Sequence, residues 1–311
     1  MGNPADNPAL VRFVRAMRAD YRALIPSAGT PDPVAEIETI AVPSSADDER
    51  AIPVRAYHPS DAGAGPHPII VFAHGGGWCS GDFDTHDVLC RALANRTGAI
   101  LLAVDWRLAP EHQFPAGLDD LYTVIAWAHR YGESLGGDPA RLIVSGDSAG
   151  ANLVTVASAL SRDRKGPPIA AQLLFYPPVA GATLTASREE FGDTHFPQRE
   201  VMDNVLTAYL PDGVDASNPL VAPLYGDLAD LPPAFLQVGE FDPLRDEGIA
   251  YAEALSRAGV KAESKVYPRS EHGFIQFFKD KPNHPEGERA LDDAVVFLRE
   301  VLGATTTTQA Q

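Results

Sequence analysis

The stretch Arg141–Leu160, RLIVSGDSAGANLVTVASAL, decides how the rest of the chain is read. Arg141–Gly146 is a short apolar run of strand type, and from about Ala149 the apolar spacing becomes helical. Between them lies G-D-S-A-G, with Gly146 and Gly150 flanking Ser148. A serine that projects from a sharp strand-to-helix turn needs small neighbours, because a side chain there would clash with the strand or the helix. The helix start also aims backbone N–H groups and the positive dipole end at any anion forming near Ser148. A bare G-x-S-x-G arises by chance in roughly one chain in ten of this composition, so the strand before it and the helix after it carry the assignment.

Upstream, the apolar run Ile69–Ala73 ends in His74-Gly75-Gly76-Gly77-Trp78. Glycines let the main chain approach a ligand closely and turn amides inward. Backbone amides aimed at the oxygen of a tetrahedral intermediate are a large catalytic term. The donors expected are the amides of Gly76, Gly77 and Ala149, with Gly75 and Trp78 beside the substrate. His74 reads as a residue that orients this loop.

Downstream, a serine on such a turn is followed in chain order by an acid and then a histidine. Of the nine histidines, six precede Ser148 and His195 lies in an irregular region. His272, in E-H-G-F just after the strand-like Glu263–Tyr267, is the expected base; His284 sits in a Pro-rich loop with no strand to position it. The acid should follow the preceding strand, Ala234–Val238, which leads into G-E-F-D-P-L-R-D-E. Asp242 is preferred to Glu240 and Asp246, because Asp246 would lie one turn into the following helix. Asp242 could equally cap that helix.

The surrounding pattern defines the fold class. Ile69–Ala73, Ala99–Val104, Arg141–Gly146, Ala171–Phe175 and Ala234–Val238 are continuously apolar, as strands buried on both faces must be. Helical segments such as Pro115–Tyr131 separate them. This alternation predicts an α/β protein with a mostly parallel central sheet flanked by helices. Glu36–Val42 and Ala51–Tyr57 read as antiparallel edge strands joined by the polar Ser44–Arg50. Residues 8–24 have helical spacing, with Leu10, Val11, Val14, Met17, Tyr21 and Leu24 apolar. Residues 187–217 break the rhythm and contain one helix candidate, Gln198–Leu210.

Composition sets outer bounds. The 311 residues are 45% hydrophobic and 22% charged, with a formal net charge of −17. That charge argues against nucleic acid and anionic membranes as partners. Cys79 and Cys90 make no disulfide framework, have no zinc-site spacing and suit a reducing compartment. MGNPADNPAL has neither the basic nor the apolar part of a secretion signal, and no apolar run reaches the roughly 18 residues of a membrane span. A cytoplasmic protein is expected.

Taken together, HGGGW at 74–78, DWRLAPE at 105–111, FPA at 114–116, GDSAGAN at 146–152, YPP at 176–178, DPLRD at 242–246 and EHGF at 271–274 resemble the bacterial hormone-sensitive lipase family, in its GDSAG esterase branch. The resemblance runs from about residue 50 to 300. It implies the α/β-hydrolase fold, a triad of Ser148, Asp242 and His272, oxyanion donors at Gly76, Gly77 and Ala149, and hydrolysis of short-acyl esters without cofactor or metal. It also implies a helical cap. The expected division is an N-terminal cap segment (1–45), a catalytic core (46–186), a cap insertion (187–217), the core resumed (218–304) and a disordered tail (305–311). Relatives often form a homodimer through the last strand, here Glu263–Tyr267.

Two positions depart from the family pattern: Trp106 stands where a tyrosine is usual, removing a hydroxyl, and Ala151 where a second glycine is usual. An amidase or formamidase would use the same triad. A non-catalytic ligand-binding protein on this fold, such as the plant gibberellin receptors, lacks the histidine that this chain keeps as His272. The segment 187–217 offers few large apolar residues, namely Phe191, Phe196, Val201, Leu206 and Tyr209. That is too little for an oil-surface lipase and points to soluble esters of roughly two to eight acyl carbons.

Overall fold

The computed structural model describes residues 7–44, 50–60, 63 and 65–308. The start of the MGNPADNPAL segment, most of the Ser44–Arg50 connection and the last three residues of the expected tail lie outside the described residues.

Eight strands form one sheet: β1 (Glu36–Pro43), β2 (Ala51–His58), β3 (His67–Ala73), β4 (Ile100–Val104), β5 (Gly137–Asp147), β6 (Ala171–Phe175), β7 (Ala234–Gly239) and β8 (Ala262–Tyr267). Their spatial order is β1-β2-β4-β3-β5-β6-β7-β8. β1 pairs antiparallel with β2, and β2 antiparallel with β4; every other pairing is parallel. Strand order reverses around β3, whose neighbours are β4 and β5. In open α/β sheets the carboxyl ends of the strands around such a switch form the crevice where ligands bind.

β5 starts four residues earlier than its apolar run suggests. Gly137-Asp138-Pro139 looks like a turn in sequence, yet it joins β3 through the pair His67↔Gly137, with an irregularity between His67 and Ile69. Such an irregularity lets a strand carry residues that fit a regular ladder poorly.

The helices are α1 (Pro8–Ala23), α2 (Asp87–Thr97), α3 (Ala116–Tyr131), α4 (Ala149–Asp163), α5 (Ala186–Phe191), α6 (Arg199–Tyr209), α7 (Arg245–Arg257) and α8 (Gly287–Thr308). Alternation along the strands divides the core. Ile69, Val71 and Ala73 face one layer with Leu121, Ile125, Leu153, Val156 and Leu255 of α3, α4 and α7. Ile70 and Phe72 face the other, with Leu89 and Leu93 of α2 and Leu291 and Leu298 of α8. Each fully buried side chain of this kind contributes about 1.5–3 kcal/mol relative to exposure.

α1 presents Leu10 and Val14 to the first layer, with Phe13 and Met17 packed beside them. Val11 and Leu24, expected on that stripe, are exposed instead. α1 is fastened by Arg18, whose Nε donates to the Cys79 carbonyl at 2.7 Å, whose Nη2 donates to the Ala109 carbonyl at 3.0 Å, and which pairs with Glu111 at 2.7 Å. α5 has no counterpart in the sequence reading. At the other end, α8 continues to Thr308, into the 305–311 segment expected as a disordered tail. Leu298 and Val301 anchor this helix against the core. Once a helix is seeded, each further residue adds a hydrogen bond at little extra cost.

Candidate active site

Ser148 occupies the single residue between β5 and α4. Its backbone (φ 50°, ψ −123°) lies where L-residues are rare, as expected of a sharp functional turn. Two close approaches keep that turn small. A Cβ on Gly150 would sit 2.0 Å from the Ala73 carbonyl oxygen, and one on Gly146 would sit 2.6 Å from the same atom. The obstacle is therefore chiefly the end of β3, in addition to the flanking helix. The Ser148 amide donates to the Phe175 carbonyl at 2.8 Å, which fixes the turn to β6.

His272, on the loop after β8, places Nε2 3.0 Å from Ser148 Oγ. Its Nδ1 is 2.8 Å from Asp242 Oδ2. With the Nδ1 proton donated to Asp242, Nε2 is free to accept the serine proton. Asp242 is fully buried, and its Oδ1 accepts from the Leu244 amide at 2.8 Å. It does not cap α7, whose N-cap residue is Leu244.

The rival residues have other partners. Glu240 accepts from the Arg269 amide, and Asp246, in the first turn of α7, accepts from the Ser187 amide and pairs with Arg245. His284 stacks on Phe277 at 5.8 Å.

The glycine loop meets the serine turn at Asp147. The Gly75 amide donates to Asp147 Oδ1 at 2.8 Å, so it is not open to a substrate. The amides of Gly76, Gly77 and Ala149 have no partner among the described residues. Ala149 is the first residue of α4, where an N–H has no intrahelical acceptor. Gly76 has φ +121°, and a Cβ there would meet the Ser80 carbonyl oxygen at 2.2 Å.

Trp78 differs from expectation. Its indole is only 2% exposed and stacks on Tyr209 of α6, ring centroids 4.8 Å apart. The Gly75 amide is thus taken up by Asp147 and the Trp78 ring by Tyr209. His74 donates from Nδ1 to the Gly75 carbonyl at 2.8 Å. Burial, reinforced by nearby His86, pulls its pKa down to about 4. Trp106 stacks on His74 at 4.8 Å, so this departure keeps an aromatic packing role; its indole N–H has no hydrogen-bond partner among the described residues.

Sequence reasoning missed three neighbours of the site. His86 sets Nε2 3.0 Å from Asp147 Oδ1, deep in the core. Tyr176 lies with its ring centroid 4.5 Å from that of His272. Buried Glu247 pairs with Arg188 of α5 at 2.7 Å and accepts from the Val179 and Ala180 amides. Asp147, Tyr176 and Glu247 stand within or beside recognised motifs, but nothing in the sequence shows what they touch. Among the described residues no group of three or more His, Cys, Asp or Glu could hold a metal ion, and no helix is long and apolar enough to cross a membrane. Cys79 and Cys90 are buried and unbridged.

The class defined by this fold matches known proteins. A family model for the α/β-hydrolase fold matches residues 70–276. The carboxylesterase NlhH of Mycobacterium tuberculosis is 44% identical over 231 residues, 73% of this chain and 72% of that protein. The carboxylic ester hydrolase LipN of the same organism is 39% identical over 281 residues, 88% of this chain and 73% of its own length. The solved structure of a hyperthermophilic esterase from the archaeon Pyrobaculum calidifontis superposes with a TM-score of 0.85 at 34% identity, covering 94% of this chain and 91% of the other. The chain belongs to the α/β-hydrolase family, among its hormone-sensitive-lipase-type esterases.

Proposed function

We propose that this chain is a serine carboxylesterase acting on soluble esters of roughly two to eight acyl carbons, with Ser148, His272 and Asp242 as its triad. The observation that carries the reading is the continuous pair of contacts from Ser148 Oγ to His272 at 3.0 Å and from His272 to Asp242 at 2.8 Å. Ser148 Oγ attacks the ester carbonyl while His272 Nε2 takes its proton. Asp242 stabilises the imidazolium and holds the ring in one tautomer. The oxyanion is received by the amides of Gly76, Gly77 and Ala149, donors of a kind each worth about 10²–10³ in rate. His272 then returns the proton to the departing alcohol, leaving an acyl-serine. Water, activated by the same imidazole, releases the acid and restores Ser148. None of these steps requires a cofactor.

In the same reading α1, α5 and α6 form the cap. Cap and core are bolted together where Ser187 and Arg188 of α5 meet Pro243, Asp246 and Glu247. A homodimer through β8 belongs to the proposal. β8 is the sheet's last strand and leaves one edge free for pairing, and Val266 on it is 41% exposed. The two unbridged cysteines suit the cytoplasm.

The deciding experiment is labelling with a fluorophosphonate followed by peptide mapping. Ser148 should carry the label, and Ser148→Ala should lose both label and ester turnover. Label on another serine, or retained turnover, would refute the assignment. Light scattering at micromolar concentration tests the dimer, and a monomer mass would reject it.

A further inference from the structure

We propose that Phe196 selects the alcohol half of the ester and favours alcohols that carry an apolar ring next to the ester oxygen. The inference rests on the reading of His272 as the acid that protonates the leaving alcohol. In that reading the ester oxygen must come within hydrogen-bond reach of His272 Nε2. The carbonyl oxygen is instead held by the amides of Gly76, Gly77 and Ala149. The group attached to the leaving oxygen therefore extends along whatever lines the histidine side of the cleft.

Phe196 lines that side. Its ring centroid is 5.8 Å from that of His272, yet its side chain is 51% exposed. Single exposed apolar residues are common and need no explanation. The other exposed aromatic side chains among the described residues have ordinary surroundings: Tyr131 packs on Trp127, and Tyr225 hydrogen-bonds Thr183. Phe196 alone of the three stands beside the imidazole with much of its surface uncovered. Tyr176, buried on the same imidazole at 4.5 Å, is already covered by protein. Among the described aromatic side chains, the open ring next to the proton donor is thus that of Phe196.

The backbone that carries the ring is held in place. It sits between α5 and α6 on a segment closed by two backbone bonds, His195 N–H to the Phe191 carbonyl and Arg199 N–H to the Gly192 carbonyl, both 2.8 Å. Adjacent His195 packs against Phe191 at 5.3 Å and Phe241 at 5.7 Å. An aromatic side chain has only two χ angles to order when a ligand ring covers it, so on a fixed backbone the contact adds to affinity.

The test compares benzyl butyrate with ethyl butyrate, which share an acyl group and have alcohols of similar acidity, in the full-length chain and in Phe196→Ala and Phe196→Tyr. The intact chain should prefer benzyl butyrate in kcat/KM. Phe196→Ala should lower kcat/KM for benzyl butyrate about tenfold, mainly through KM, and leave ethyl butyrate within about twofold. Phe196→Tyr should restore the benzyl preference. A fall of equal size for both esters, or an unchanged benzyl-to-ethyl ratio in Phe196→Ala, overturns the proposal while leaving the esterase reading intact. Absence of turnover with both esters together with an unlabelled Ser148 instead overturns the esterase reading, and this inference with it.

Discussion

Asp147 accepts the Gly75 amide on Oδ1 at 2.8 Å, and its Oδ2 would lie 2.5 Å from a Cβ on Gly75. The residue before the nucleophile candidate therefore grips the glycine loop by its backbone and occupies the space a side chain there would need. Burial opposes the charged carboxylate, but His86 and the Gly75 amide outweigh it and hold the carboxyl below its ordinary range. Two loops from neighbouring strands, β3 and β5, are braced against each other beside Ser148.

Removing that brace should reach catalysis without touching the proposed triad of Ser148, His272 and Asp242. Asp147→Ala leaves the Gly75 amide and His86 without their partner, a loss of about 1–3 kcal/mol in stability. It should also lower kcat by about 10²-fold with little change in KM, because the proposed oxyanion donors on the same loop would act mainly in the transition state. Asp147→Asn, which keeps an acceptor oxygen, should fall between the two. Steady-state kinetics with a thermal melt on each variant decide the matter, and an unaltered kcat in Asp147→Ala would show the brace to be structural only.

The two aspartates of D-P-L-R-D should separate cleanly. Asp242→Asn should lose about ten-thousand-fold in kcat with a small stability change, since it alters the histidine's tautomer and leaves the shape alone. Asp246→Asn should keep most of the rate, because Asp246 fastens the start of α5 through Ser187. The opposite ranking of kcat values would move the acid to Asp246.

His74 gives the fold a pH dependence with a definite sign. Its pKa is about 4 in the folded protein and about 6.5 when unfolded. Between these values the unfolded chain binds the extra proton, so stability rises with pH. The contribution is present above about pH 6.5 and lost as pH falls towards 4, at about 1 kcal/mol per pH unit. Denaturant melts from pH 4 to 7 should show the slope. His74→Asn, which can still donate to the Gly75 carbonyl, should flatten it; an equally steep slope in that variant assigns the effect to other groups.

Trp78 should matter through packing. Its ring fills the space between the glycine loop and Tyr209, so Trp78→Ala should cost about 3–5 kcal/mol by leaving a cavity. Trp78→Phe, which preserves a stacked ring, should lose less. Melting temperatures of the two variants test this, and a Trp78→Ala protein as stable as the parent would contradict the buried stack.

How far the site was legible follows from how locally each part is built. G-D-S-A-G between an apolar run and a helical run describes one turn, and its residues are contiguous, so Ser148 and Ala149 could be read directly. Chain order and strand ends restrict where an acid and a base can lie, and so single out His272 and Asp242 as candidates. Gly75 and Trp78 read as substrate neighbours because they adjoin Gly76 and Gly77 in sequence. In space one amide points to Asp147 and one indole to Tyr209. Adjacency along a chain does not tell which way successive groups in a tight loop face.

The sequence by itself determined the buried parallel strands, the serine turn and the order of the three candidate catalytic residues. Each depends on local spacing or on apolar runs that have no stable alternative. Only the tertiary structure decided the contacts that cross the chain: Asp147 with His86, Arg18 of α1 with the loop after Trp78, Glu247 with Arg188, and Phe196 beside His272. These pairs join segments that are separated along the chain and converge at the carboxyl end of the sheet. The partner of a buried charge or an aromatic ring is set by which strands become neighbours. Composition and periodicity determine that a strand forms, whereas sheet order and the packing of helices upon it determine what lies beside it.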